Sequence, residues 1–190
     1  MAKKKKVTAK SKSKPRFQKT KSFFGSRQTQ TIFGSFVILS AVFLFTSFIS
    51  YLLNWQDDYS QIFEFSDKNI TVKNLLGKIG AAVSHFVIYE GFGIMSIFLT
   101  ILLAFSGILI FLKGSLKRVR GSWGWGILGL IWFSIFFASF IPESSLLSGV
   151  IGYELKNYFE QFLGKTGLFL VLLFLLICYM VIRFKLTPIT

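Results

Sequence analysis

Apolar residues gather along this chain in four uninterrupted runs: Ile32–Leu53, Phe92–Leu112, Trp123–Ile141 and about Thr166–Ile182. None of the four holds an Asp, Glu, Lys, Arg or His. Runs of this length match the roughly 30 Å hydrocarbon core of a bilayer. The fourth is short, but Lys165 and Arg183 flank it and can snorkel to the two interfaces. Lipid offers no hydrogen-bond partner to an open backbone, so each run predicts a transmembrane helix. Aromatic residues suited to an interface mark several ends: Trp55, Trp123, Trp125 and Tyr179.

Two of the connections carry a helical period of their own. In Val72–Tyr89 the apolar positions Leu75, Leu76, Ile79, Val83, Phe86 and Val87 recur at helical spacing, with Lys78, Ala81 and His85 opposite. In Val150–Leu163 the set is Ile151, Leu155, Tyr158, Phe159 and Phe162, set against Glu154, Asn157 and Gln161. Both predict short amphipathic helices on the outer side of the membrane. The expected fold is an all-α integral membrane domain over 32–185, with four transmembrane helices and these two short ones. The halves look alike, since Leu75-Leu76-Gly77-Lys78-Ile79-Gly80 resembles Leu146-Leu147-Ser148-Gly149-Val150-Ile151-Gly152 apart from one residue. An internal duplication accounts for that. So does the general likeness of any two membrane hairpins.

Composition agrees with the pattern. Of 190 residues, 53% are hydrophobic and only 16% charged, against about 25% charged in a soluble domain. Mean hydropathy is +0.60 and 24 residues are phenylalanine, more apolar surface than one soluble core of this size hides. A net charge of +14 would point to nucleic acid were the charges not segregated. Residues 1–31 hold eleven Lys/Arg, the 113–120 loop four and the tail two, with no acid among them. The other five bases share the remaining two connections with all eight acids. The positive-inside rule then puts both termini in the cytoplasm and 54–91 and 142–165 outside.

The polybasic arm 1–31 cannot bury a core and is expected to be disordered. Its lysines Lys3, Lys4, Lys5 and Lys6, with Arg118 and Arg120 of the loop, are the candidates for contact with anionic lipid, at about 1 kcal/mol per residue. Sequence-blind contact of the arm with DNA is a further reading. Gly93, Ser96, Thr100, Ala104 and Gly107 fall three or four apart on one face of the second run, where helix backbones approach closely. That face predicts packing within the bundle or between copies.

Catalytic chemistry finds little footing. Gly164-Lys165-Thr166 imitates the end of a phosphate-binding loop, but Phe159 stands where that loop needs glycine. Ion pathways and proton relays use charged groups inside the membrane, and the four runs hold none. His85, with Glu90 nearby in sequence, reads as an interfacial histidine, and Cys178 as a small apolar residue. No metal, cofactor or catalytic residue is expected in this chain.

The pattern Asn74-Leu75-Leu76-Gly77-Lys78-Ile79-Gly80-Ala81, leading into Gly91-Phe92-Gly93, resembles the N-terminal membrane domain of FtsK/SpoIIIE-type DNA translocases. Leu147-Ser148-Gly149-Val150-Ile151-Gly152-Tyr153-Glu154 and Leu163-Gly164-Lys165-Thr166-Gly167 extend the resemblance over nearly everything beyond the basic arm. The abundance of phenylalanine and the closing Arg183-Phe184-Lys185 resemble the Bacteroidetes branch. The resemblance implies a bacterial inner-membrane protein at the division septum. Such a protein anchors a hexameric motor that uses ATP and Mg to pump chromosomal DNA. Lipid, further copies of the chain and other division proteins are then its partners, with DNA reached only through the motor. No Walker A or Walker B segment occurs here, so no catalytic residue carries over. Leu186-Thr187-Pro188-Ile189-Thr190 reads as the start of a cytoplasmic linker, so the native chain is expected to continue. A free-standing four-span scaffold or accessory subunit of a bacterial membrane complex is the alternative.

Overall fold

The computed structural model describes residues 26–62, 71–141 and 145–184, and these are helical without strands. Helix α1 spans Arg27–Ile62. Helix α2, Gly77–Ser84, runs into a π-helical stretch His85–Phe92 and a 3₁₀ turn Gly93–Ser96 before α3, Ile97–Phe111. Helix α4 covers Leu116–Phe140, and α5 covers Ser145–Phe184. Four helical stretches are long and apolar enough to cross a membrane. Exposure is the reverse of a soluble protein's. Phe36, Leu39, Ile101, Leu128 and Phe174 face outward, whereas Ser47, Ser84, Ser96, Thr100 and Ser134 are buried. Lipid tails are as apolar as leucine, so burying leucine gains nothing there, and small residues that let backbones approach take the interior.

With 36 residues, α1 is about 54 Å long and overshoots the hydrocarbon core. Its geometry breaks at Asn54 (φ −128°, ψ 18°), just before Trp55. The chain then doubles back along α1. The Lys73 amide donates to Asp58 Oδ1 (2.7 Å), the Leu75 amide to Ser50 Oγ (2.9 Å), and Asn74 Nδ2 to the Ser47 carbonyl (3.0 Å). From Gly77, α2 climbs in the same direction as α1. Gly80 and Ser84 lie at the level of Ser47, His85 at Tyr51, and Tyr89 at Trp55. Gly93 reverses the chain, and α3 descends antiparallel to α1 until Gly107 meets Ile38 and Phe111 meets Gly34.

The second half repeats this path. Helix α5 has two breaks in its geometry, at Gly149 (φ 66°) and Gly164 (φ 68°), matching Gly77 (φ 65°) and Gly93 (φ 69°) in the first half. All four sit in the left-handed region, which glycine alone enters without steric cost. Gly152 packs on Ser134 as Gly80 packs on Ser47. The core of the first half joins Phe48 with Leu44, Val83 and Ile97, and that of the second joins Ile135 with Ile131, Leu155 and Leu168, each pair at matching places along its helix. Near the other end, Ile38 lies against Gly107, and at the matching level of the second half Trp125 meets Tyr179, one residue beyond the exact counterpart Cys178. One residue more separates Gly77 from Gly93 than Gly149 from Gly164. The π-helical stretch absorbs it, because an i→i+5 turn holds one residue more than an i→i+4 turn. The chain is therefore built of two like hairpins, each with a helix folded back beside its first span.

Candidate functional site

The two hairpins meet backbone to backbone. A Cβ placed on Gly93 would overlap the Leu147 carbonyl, and one on Gly149 would overlap the Gly91 carbonyl and crowd the Gly93 amide. The Ser134 hydroxyl donates to the Ser148 carbonyl beside this junction. Deeper along the same seam, Leu102 lies over Gly126 and Trp123 Nε1 donates to Ser106 Oγ (2.8 Å). The structure thus distributes the predicted small-residue row over several contacts within the chain. Gly93 sits in the junction and Gly107 on α1. The Ser96 hydroxyl donates to the Val87 carbonyl (2.7 Å) and that of Thr100 to Ile97 of its own turn (2.7 Å). Ala104 is half-buried.

At the end of the bundle that carries the acids, polar and aromatic groups cluster between α1 and the π-helical stretch. His85, expected at an interface, is buried with 6% of its surface exposed. It shares a hydrogen bond of 2.9 Å with the Tyr51 hydroxyl through Nδ1, and its Nε2 lies 3.6 Å from Glu90 Oε1. Its ring stacks on Tyr89 (centroids 5.0 Å apart), and Tyr59 and Trp55 complete the aromatic set. Asp58 is fully buried: Oδ1 accepts from the Lys73 amide, and Oδ2 has no partner among the described residues. The neighbouring Asp57 pairs with Lys73 (2.8 Å), and that carboxylate holds the exposed ammonium above the usual lysine range. This is architecture that closes one end of a bundle. No group of three metal-ligating side chains occurs among the described residues.

At the opposite end, Arg118 and Arg120 are exposed on the first turns of α4. Lys3, Lys4, Lys5 and Lys6 lie outside the described residues, as do the rest of the basic arm through Gly25 and the expected linker, whereas residues 27–31, expected to belong to a disordered arm, form the start of α1. Sequence reasoning gave no structural role to Asn74, Ser106 or Asp58. Asn74 has a legible signal, since asparagine before a glycine turn bonds its own backbone: its Oδ1 accepts from the Leu76 amide (3.0 Å). The partner of Ser106 lies on another helix and leaves no local pattern.

No curated protein and no solved structure matches the chain. The model of the 4TM region of DNA translocase FtsK/SpoIIIE matches residues 26–189, which takes in both hairpins and the seam between them. What it matches is the membrane region and not the ATPase motor of those proteins. The chain therefore belongs to the family of the four-transmembrane region of FtsK/SpoIIIE DNA translocases and is a membrane anchor and oligomerisation domain of that kind.

Proposed function

We propose that this domain holds a DNA-translocating motor at the division septum as a homo-oligomer, with both termini in the cytoplasm and the two short helices at the outer face. The charge split carries the orientation. Lys113, Lys117, Arg118 and Arg120 gather at one end of the bundle, and Asp57, Asp58 and Glu90 at the other. The exposed bases Arg118 and Arg120, with Lys3 to Lys6 of the arm, then face the anionic cytoplasmic leaflet. Hexameric assembly and contact with other division proteins complete the reading, supported by the likeness to that family. In a chain with Cys178 replaced by alanine, cysteine at Asp57 should react with a membrane-impermeant maleimide from outside. Cysteine at Lys117 should react only after the membrane is opened. Labelling of Lys117→Cys in intact cells would overturn the orientation, and uniform membrane fluorescence of a tagged chain would overturn the septal placement.

A further inference from the structure

The seam between the two hairpins is head to tail. The Gly93 end of the first meets the Gly149 end of the second, so different surfaces touch. A half-turn between the hairpins would bring the remaining ends, Gly164 and Gly77, together in the same way. They do not meet: a Cβ on either glycine would find nothing within 4 Å among the described residues. Each chain thus keeps one unused head and one unused tail of a contact it already makes once internally.

The surfaces around these ends are open where their counterparts are covered. Gly91 and Leu147 line the internal seam. At the matching places stand Phe162, 71% exposed, and Leu75, 76% exposed. Where Leu102 covers Gly126 inside the chain, the counterparts Leu173 and Leu39 are both exposed. We propose that the Gly164 end of one copy docks on the Gly77 end of the next, repeating between chains the seam that Gly93 and Gly149 form within one. Leu173 of the last span then packs beside Leu39 of the neighbour's first span. Such a heterologous contact adds copies in one rotational sense and closes into a ring when the rotation allows. The inference rests on the oligomerisation reading and names the surface by which it occurs.

Cysteine cross-linking of the intact protein in bacterial membranes tests it, with Cys178 replaced by alanine. A chain carrying both Leu75→Cys and Phe162→Cys should give a ladder of cross-linked species ending in one closed form. Either variant alone should stay monomeric on the gel, and a mixture of the two should stop at dimer. The pair Leu39→Cys and Leu173→Cys should give the same ladder, which guards against one badly placed thiol. A chain that is oligomeric by native mass yet gives no ladder with either pair overturns the contact and leaves oligomerisation standing. Strong dimers from Leu75→Cys alone overturn it in favour of a two-fold contact. A chain that is monomeric in membranes overturns the contact together with the oligomerisation reading.

Discussion

The two hairpins follow one path with different interiors. In the first, the buried face is hydrogen-bonded: Ser47 to Ser84 (2.8 Å), Asn74 to the Ser47 carbonyl, Tyr51 to His85. In the second, the matching face is mostly aliphatic, built from Ile131, Ile135, Leu155 and Leu168. Coverage differs as well. A third of the most apolar window between Gly77 and Phe111 is buried, against 11% of that in α5. The backbone path therefore does not depend on one set of side chains. What the halves share is the left-handed glycine at each reversal and the small residue facing Gly80 or Gly152. In a membrane these steric points fix a fold, and side-chain polarity is free to vary around them.

The largest test sets one glycine against its counterpart. Gly93→Leu forces a side chain into the left-handed region and onto the Leu147 carbonyl, and should cost about 4 kcal/mol of bundle stability. Gly164→Leu meets open space within the chain and should cost about 2 kcal/mol, from backbone strain alone. Thermal unfolding of the detergent-solubilised monomer measures both, and equal losses would show that the halves are not packed differently.

Next comes Gly107→Leu. Its Cβ would lie 2.8 Å from Ile38 Cγ1, and about 2 kcal/mol should be lost as α1 and α3 are pushed apart. Asn74→Ala removes the bonds to the Ser47 carbonyl and the Leu76 amide, and should cost about 1–2 kcal/mol. The same assay should register that loss in the first hairpin, while the second keeps its hydrogen-exchange protection.

Thr100→Val should matter least, at under about 0.6 kcal/mol. Its hydroxyl bonds only the Ile97 carbonyl of its own turn, and the replacement keeps the volume. If Thr100→Val proves more damaging than Gly93→Leu or Gly107→Leu, that face is a polar site and steric fit is not what holds the helices.

Much of this was legible from the order of residues. Charge-free apolar runs as long as a bilayer is thick have few other uses, which made four long apolar helices readable. The likeness of Leu75–Gly80 to Leu146–Gly152 was visible too, but chance similarity of two hairpins explained it equally well. The structure extends the likeness beyond what residue types show, because Phe48 and Ile135, or Ile97 and Leu168, share no residue type and are matched only by position. The junction of Gly93 with Gly149 was hidden for another reason. Glycine spacing along one helix names a close approach without naming what approaches. The burial of His85 and Asp58 was equally out of reach, since both follow from the chain doubling back along α1, and nothing local records that return.

The widened turn in the first hairpin has a companion. Ser96 donates its hydroxyl to Val87, inside the π-helical stretch, and the residue at the matching place in the second hairpin is Gly167, where the helix has no such turn. Carbonyls displaced from ordinary helical register have few alternatives in lipid, so a donor close by is worth keeping. In genetic terms the extra residue and the hydroxyl should behave as a suppressor pair. Loss of the serine should be harmful while the longer turn is present, and shortening the turn by one residue should relieve the need for it.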